Sequence, residues 1–207
     1  MKPNNMKTTW KEIIESDVQY IDLIWYGSIL NQDSHEGDTG TPDTVVVKWF
    51  QRIYNLKMVP DNLDIEILEA FRKKYWLKYN INSIWEVLEL RKQNVCVLNA
   101  IHTWNNDDTL NGVLIRIYRQ DFETYRKREE IYDLHITNFS YINPINWVIK
   151  ESEKKCFILS AQEEYLIDNG YAFFPYHEFA RRWAYHFGRY FGEMFDKTTL
   201  RVQKSTN

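Results

Sequence analysis

Short apolar runs with the lengths of β-strands recur along this chain of 207 residues and limit the folds that it can adopt. Some runs alternate apolar and polar side chains, others are continuously apolar, and polar or glycine-containing loops separate them. The predicted strands cover residues 20–26, 45–54, 95–102, 110–118, 134–139 and 155–160. We expect the third and fourth of them to pair with each other across the polar loop at residues 105–108.

Residues 61–91 depart from this pattern, because their apolar side chains recur at helical spacing. The predicted inward row consists of Leu63, Ile67, Phe71 and Tyr75. Asp61 or Asn62 is placed to cap a first helix, and Ser83 with Glu86 forms a capping box for a second. We interpret residues 61–91 as a helical insertion.

A second helical pattern covers residues 176–195 and predicts one amphipathic C-terminal helix. Its predicted apolar row consists of Phe179, Trp183, Phe187, Tyr190 and Met194. The breadth of this face leaves room for an exposed patch on which a second copy, forming a homodimer, or another partner would dock. Together these patterns predict one α+β domain spanning residues 1–207, with helices flanking a curved, largely antiparallel sheet or small β-barrel.

Composition narrows the class of protein. Hydrophobic residues make up 44% of the chain and aromatic residues 16%, which excludes disorder for most of its length. The net charge of −3 argues against nucleic acid as a partner. No segment is apolar for the length of a membrane span, and the N-terminus lacks the apolar core of a secretory signal. Cys96 and Cys156 lie in strand-like runs and are predicted to be buried, inert thiols. We therefore expect a cytoplasmic protein.

The first candidate site element is the segment that follows the first predicted strand, which comprises Tyr26, Gly27, Ser28, Ile29 and Leu30. Glycine permits a positive φ and the close approach of a ligand, and successive backbone N–H groups can form an anion-binding nest. The alternative is purely structural, with Gly27 allowing the chain to turn and Ser28 bonding its own backbone.

The second element is a carboxylate on a short predicted helix at residues 122–130, capped by Asp121. Phe122, Tyr125 and Glu129 share one face of that helix, and Glu130 is rotated away from it by about 100°. A carboxylate that points inward loses solvation, so its pKa rises, as a general base for an ammonium group requires. The structural alternative is an ion pair between Glu129 and a basic residue such as Arg128.

These two elements resemble, in order, the motifs of the γ-glutamylcyclotransferase-like superfamily. Residues 26–30 are similar to its Tyr-Gly-Ser-Leu loop, residues 111–114 to its Gly-Val strand, and residues 128–132 to an Arg-Glu pair followed by a tyrosine. The segment 191–199 is similar to the C-terminal part of many bacterial members. The resemblance spans residues 20–199 and implies the curved sheet of that superfamily.

The resemblance also implies an activity, in which the α-amine of a γ-glutamyl group attacks its own γ-carbonyl carbon. The products are 5-oxoproline and a free amine or amino acid, and neither a cofactor nor a metal is needed. Glu129 would be the general acid/base, the backbone of residues 27–30 would bind substrate oxygen, and Tyr26 would shape the pocket wall. The chain departs from the family pattern at Tyr125 and Arg126, where Leu-Asp is common.

Further departures keep alternatives open. Ile131 stands where a glycine often precedes the tyrosine, and some members place the catalytic glutamate at the position of Glu130. A second hypothesis is a non-catalytic binding or interaction module, in which an arginine or the helical insertion blocks Glu129. A third is transfer or hydrolysis at an amide with the same base.

His177-Glu178 lacks the second histidine of a zinc helix because Arg181 stands there, so we predict no metal site.

Overall fold

The computed structural model describes residues 7–27, 43–143 and 148–200. Within these ranges the chain forms ten β-strands and six α-helices. The strands are β1 Lys7–Thr8, β2 Tyr20–Trp25, β3 Asp43–Lys48, β4 Phe50–Lys57, β5 Val95–His102, β6 Thr109–Tyr118, β7 Tyr132–Ile142, β8 Ile149–Ala161, β9 Tyr171–Ala172 and β10 Thr199–Leu200. The helices are α1 Trp10–Glu15, α2 Ile65–Phe71, α3 Ile84–Lys92, α4 Phe122–Arg128, α5 Phe174–His186 and α6 Arg189–Thr198.

The larger sheet has six strands in the order β1-β7-β3-β6-β2-β8. Because β7 pairs with β8 as well as with β3, the hydrogen bonding of β7, β3, β6, β2 and β8 returns to its starting strand. All these pairings are antiparallel except that of β2 with β8, in which Leu23 lies opposite Phe157. The sheet is therefore strongly curved, and the predicted α+β fold with a curved, largely antiparallel sheet is confirmed.

The smaller sheet has four strands in the order β10-β4-β5-β9. Here the predicted pairing of residues 95–102 with 110–118 is wrong, because β5 pairs with β4 and β9, whereas β6 lies between β3 and β2 in the larger sheet. The predicted strand at residues 45–54 is also wrong as a single element. It is two strands, β3 and β4, which belong to different sheets.

Two tryptophans mark the places where the chain passes from one sheet to the other. Trp49, between β3 and β4, has φ 67°, and Trp104, between β5 and β6, has φ 60°. Positive φ is costly for a bulky residue and redirects the backbone sharply. Trp49 also holds the segment that joins β5 to β6. Its N–H donates to the Asp108 carbonyl and its carbonyl accepts from the Thr103 N–H, both at 2.8 Å. These bends separate β5 from β6.

In the segment 61–91 the structure contains α2 and α3, with a π-helical turn Arg72–Trp76 and a 3₁₀ turn Leu77–Tyr79 between them. Asp64 occupies the N-cap position of α2, so the predicted cap at Asp61 or Asn62 is wrong. Ser83 caps α3 by accepting a hydrogen bond from the Glu86 N–H at 3.3 Å. The Glu86 carboxylate accepts from the neighbouring Asn82 N–H instead of closing the predicted box.

The predicted inward row of this segment is wrong as well. Ile67 and Phe71 are 43% and 41% exposed, whereas Leu68 is fully buried. The helix is thus rotated by about one residue, roughly 100°, from the predicted orientation. Sequence spacing alone does not separate the two faces here, because apolar residues occupy positions on both of them.

The predicted helix at residues 176–195 is two helices, α5 and α6, separated at Phe187 and Gly188. Gly188 has φ 108°, a conformation that favours glycine and ends the helical path. The members of the predicted apolar row are only half-buried, and fully buried positions lie beside them. Those buried residues are Tyr176, His177, Ala180 and Ala184 in α5 and Phe191 and Phe195 in α6.

Both cysteines are buried free thiols, as predicted. Burial raises the pKa of Cys96 to about 11 and raises that of Cys156 further, so neither is a thiolate at neutral pH. None of the described helices has the length and apolar character that crossing a bilayer would require.

The orientation of α2 can be tested with two substitutions of similar size. We expect Leu68→Ala to lower the free energy of unfolding by about 2–5 kcal/mol, because it removes a fully buried side chain. The matched control, Ile67→Ala, should lower it by less than about 1 kcal/mol. Urea denaturation of both variants measures the difference. A larger loss for Ile67→Ala would instead support the orientation predicted from the sequence.

Candidate functional site

Tyr26 follows the end of β2 and is held at three points. Its hydroxyl donates to the Leu159 carbonyl at 2.7 Å and accepts from the Ala100 N–H at 3.1 Å. Its own carbonyl accepts from Nε of Arg52 at 2.9 Å. Because Leu159 belongs to the larger sheet and Ala100 to the smaller one, Tyr26 fixes the point at which Gly27 begins the candidate loop.

Gly27 is required for space. Its φ is not positive, so the predicted conformational reason for glycine is wrong. A Cβ built on Gly27 would lie 2.6 Å from the hydroxyl oxygen of Tyr176, a distance that real Cβ contacts essentially never show. The other members of the predicted loop, Ser28, Ile29 and Leu30, lie outside the described residues.

Glu129 ends the short helix α4. Its N–H donates to the Tyr125 carbonyl at 2.8 Å, and its carbonyl accepts from the Tyr132 N–H at 3.1 Å. The residue is 4% exposed, whereas Glu130 is exposed. Glu129 therefore points inward as the helical face predicted. Asp121 occupies the N-cap position but makes no capping hydrogen bond through its side chain, contrary to the prediction.

The Glu129 carboxylate forms an ion pair with its neighbour. Nε of Arg128 donates to Oε1 of Glu129 at 2.6 Å. The guanidinium carbon of Arg128 lies 5.1 Å from the ring centroid of Trp25 and 4.7 Å from that of Tyr125. These aromatic contacts restrict the guanidinium, so the carboxylate is held in one place.

Burial is the main influence on the acidity of Glu129. Burial raises its pKa above the ordinary value of 4.5, and the charge and hydrogen bond of Arg128 offset part of that rise. Burial also raises the pKa of Tyr26 and of Tyr132, and the negative charge of Glu129 adds to both effects. Tyr176 interacts electrostatically with the same two phenols.

These interactions bring together the two elements that the sequence singled out. Tyr26 interacts electrostatically with Glu129 and with two tyrosines, Tyr132 and Tyr176, and Tyr176 also lies against Gly27. Tyr132 stood in the carboxylate motif, but Tyr176, which comes from the start of α5, had no signal in the sequence beyond its place in an apolar helix. The arrangement offers a buried carboxylate with a raised pKa that interacts with Tyr26, the residue before Gly27.

Arg52 lies behind this group and was not identified from the sequence. It is fully buried, and burial lowers its pKa to about 9, which leaves it protonated at neutral pH. Its Nη1 donates to Oγ1 of Thr198 at 3.2 Å and of Thr199 at 3.1 Å, and its Nη2 donates to the backbone carbonyl of Asn111. No acidic side chain among the described residues forms an ion pair with it.

The histidines that the structure describes are not grouped with other metal-binding side chains. His177 hydrogen bonds through Nδ1 to the Tyr54 hydroxyl, and His102 and His135 pack against the edges of the Phe50 ring. In the part of the chain that the structure describes, no three His, Cys, Asp or Glu side chains are grouped so as to hold a metal ion.

The contact between Gly27 and Tyr176 predicts a coupled effect on stability. We expect Gly27→Ala to lower the free energy of unfolding by about 1–3 kcal/mol, because the new methyl group meets the Tyr176 hydroxyl. Tyr176→Phe removes that oxygen, so the double variant should recover at least about 0.5 kcal/mol of the loss. Urea denaturation of the four proteins in the cycle measures the coupling. Strict additivity would show that the two residues do not meet.

The raised pKa of Glu129 predicts how stability depends on pH. Folding favours the protonated form of a buried acid, so its contribution is fully present below about pH 4.5 and is lost as the pH rises through the folded-state pKa. The free energy of unfolding of the wild type, relative to Glu129→Gln, should therefore fall with rising pH. Denaturation at a series of pH values measures it, and Glu130→Gln controls for the loss of one charge. A difference that grows with pH would mean that Arg128 outweighs burial.

Comparison with known proteins rests on structure alone, because no protein-family model and no curated protein matches this chain. The crystal structure of YkqA from Bacillus subtilis is 15% identical, with a TM-score of 0.51, over 90% of this chain and 56% of that one. An uncharacterized protein from Homo sapiens is 9% identical, with a TM-score of 0.50, over 92% and 94% of the two chains.

A structure described as a gamma-glutamyl cyclotransferase is 8% identical, with a TM-score of 0.49, over 91% of this chain and 93% of that one. Such low identities concern the course of the backbone and carry no information on activity. The course of the backbone over most of this chain is thus similar to that of YkqA and of the human protein, and the likeness concerns the fold alone.

Proposed function

We propose that this protein is an enzyme that cyclises a γ-glutamyl group to 5-oxoproline and releases an amine or amino acid. The observation that carries the proposal is Glu129, a buried carboxylate that interacts electrostatically with Tyr26, the first residue of the motif loop. The proposed substrate is a small γ-glutamyl compound, the proposed location is the cytoplasm, and the reaction needs no cofactor.

The proposed reaction is an intramolecular acyl transfer. Glu129 takes a proton from the α-ammonium of the substrate, and the freed amine attacks the γ-carbonyl carbon to form the new C–N bond of the ring. The bond from that carbon to the leaving nitrogen then breaks as Glu129 returns the proton to this nitrogen. The attacking nitrogen loses its second proton to the released amine, so the products are 5-oxoproline with a neutral ring amide and an ammonium group. Because nucleophile and carbonyl belong to one molecule, holding them in the reactive geometry supplies much of the acceleration.

The surroundings of Glu129 suit a group that must accept and return a proton. Burial raises its pKa, which makes the carboxylate a better base, and the charge and hydrogen bond of Arg128 oppose part of that rise. Since Arg128 bonds Oε1, the second carboxylate oxygen is the one that we assign to the substrate ammonium.

The loop that follows Tyr26 is assigned the second task of the reaction, which is to bind the substrate carbonyl oxygen. We assign the binding of the substrate carbonyl oxygen to the backbone N–H groups of Gly27, Ser28, Ile29 and Leu30, where they would stabilise the charge of the tetrahedral intermediate. Tyr26, which is buried and held at three points, forms a wall of the pocket. The rigid position of Tyr26 supports this assignment, because preorganised donors stabilise charge without reorganising.

One observation favours a second candidate function, that of a binding module without catalysis. The ion pair between Arg128 and Glu129 at 2.6 Å, with Glu129 only 4% exposed, is the arrangement that a purely structural carboxylate would show. In that case the pocket would bind a γ-glutamyl compound without converting it.

Release of 5-oxoproline tests the proposal. We expect the wild type to release it from at least one member of a panel of γ-glutamyl dipeptides, glutathione and γ-glutamylamines. Glu129→Gln should lower kcat by at least about 10²-fold, because it removes the proton acceptor. Its matched control, Glu130→Gln, changes the exposed neighbouring carboxylate and should retain turnover. Chromatographic detection of 5-oxoproline gives the rates.

Other results of that assay point elsewhere. Loss of turnover in Glu130→Gln instead would shift the catalytic role by one residue. A folded wild type that releases no 5-oxoproline, yet shows a higher melting temperature with a member of the panel, would support the binding module.

A further inference from the structure

We propose that Arg52 is a positioning residue for this site, which fixes the peptide between Tyr26 and Gly27 so that the Gly27 N–H is presented to the substrate carbonyl oxygen. The inference rests on the proposed function and assigns part of it to a residue that cannot touch the substrate, because Arg52 is fully buried.

The direction of the Gly27 N–H follows from the geometry of the peptide. Nε of Arg52 donates to the Tyr26 carbonyl at 2.9 Å, and none of the described peptide bonds is cis. In a planar trans peptide the carbonyl and the N–H of the next residue point in opposite directions. Holding the Tyr26 carbonyl toward Arg52 therefore directs the Gly27 N–H away from it.

The guanidinium cannot easily turn away from this bond, because its other end is also held. Nη1 of Arg52 donates to the hydroxyl groups of Thr198 and Thr199. These hydroxyls in turn donate to the carbonyls of Met194 and Phe195 at 2.8 Å and 2.6 Å, at the C-terminal end of α6. The guanidinium carbon also lies 4.2 Å from the centroid of the Phe195 ring. Arg52 is thus fixed along its whole length.

The position of Tyr26 itself is fixed by its phenol. That hydroxyl bonds the carbonyl of Leu159 and the N–H of Ala100, which belong to the two different sheets. With the residue fixed, rotation of the peptide plane would have to break the bond to Arg52. An N–H held in this way needs no reorganisation when charge develops on the substrate oxygen.

The charge of Arg52 gives the same bond a second effect. A cation beside a peptide carbonyl draws electron density toward the carbonyl oxygen, which makes the N–H of that peptide a stronger donor. Among the described residues, no carboxylate forms an ion pair that offsets the charge of Arg52. The site would thus gain a polarised donor from a residue outside the pocket.

A role in stability alone is the alternative, because Arg52 also joins β4 to the end of α6. The kinetic parameters and the Gly27 amide signal separate the two roles. Loss of a donor that acts on the transition state lowers kcat more than it raises KM, whereas partial unfolding lowers the amount of active enzyme and leaves the KM of the folded fraction unchanged.

The experiment compares Arg52→Lys with the wild type in the 5-oxoproline assay. Lysine keeps the charge but cannot bond the Tyr26 carbonyl and the threonine hydroxyls together. We expect kcat per folded molecule to fall by about 10²-fold with KM changed by less than about threefold. The ¹H–¹⁵N signal of the Gly27 amide should shift in the free protein, and its hydrogen exchange should become faster.

The matched control is Arg116→Lys. Arg116 makes a two-bond ion pair with Asp22 at 2.8 and 2.9 Å, so the same substitution removes guanidinium hydrogen bonds elsewhere in the same fold. We expect its kcat and its Gly27 signal to stay close to those of the wild type. If Arg52→Lys does not fold, the double variant Thr198→Val and Thr199→Val loosens the guanidinium while leaving Arg52 in place. It should lower kcat by about tenfold and shift the Gly27 signal.

The possible failures can be told apart. A wild type that releases no 5-oxoproline overturns the proposed function, and the role of Arg52 falls with it. An active wild type with an equally active, folded Arg52→Lys and an unshifted Gly27 signal overturns only the role of Arg52. A fall in kcat without any change in the Gly27 amide also overturns it, because the proposed effect acts through that peptide.

Discussion

The hydrogen bonds of the buried Arg52 guanidinium hold together the parts of the molecule that surround the candidate site. Through this one side chain, β4 of the smaller sheet is joined to Tyr26 at the end of β2, to Asn111 in β6 and to the threonines at the end of α6. A buried cation is tolerated where acceptors satisfy its donors, and among the described residues carbonyl and hydroxyl oxygens do so for Arg52. The carbonyl end of a helix, which carries partial negative charge, adds to that stabilisation.

This arrangement depends on the two bends at Trp49 and Trp104. They carry the chain from the larger, curved sheet to the smaller sheet and back. The strands β4 and β5 therefore belong to the smaller sheet and are not part of the curved sheet. As a result the side chain of Arg52 reaches the end of β2 from a different sheet. Ala100 in β5 reaches the Tyr26 hydroxyl in the same way. The strain at two tryptophans is thus coupled to the position of the candidate loop.

The candidate base is governed by a balance between burial and one neighbouring charge. Burial raises the pKa of Glu129, and Arg128 opposes that rise through a hydrogen bond and its charge. The same ion pair suits a general base whose pKa is adjusted by Arg128, and it also suits a purely structural carboxylate. The proposed enzyme and the proposed binding module therefore share one arrangement of Arg128 and Glu129 and differ in whether Glu129 transfers a proton. The aromatic rings of Trp25 and Tyr125 fix the guanidinium in either case.

The sequence by itself determined the local elements of the site and the class of the fold. Strand β2 ends at Trp25, one residue before the Tyr26 of the motif. The helical period places Glu129 inward and Glu130 outward. Such features depend on residues close together in the chain, where periodicity is informative.

Only the tertiary structure decided which strands pair, which face of α2 is buried and which distant side chains complete the site. The separation of β5 from β6 depends on contacts between Trp49 and the loop at residues 103–108, far apart in the chain. Arg52 in a strand and Tyr176 in a helix look like ordinary surface and core residues when read in sequence. They join the site because the folded backbone brings them to Tyr26 and Gly27, and such long-range packing leaves no periodic signal in the chain.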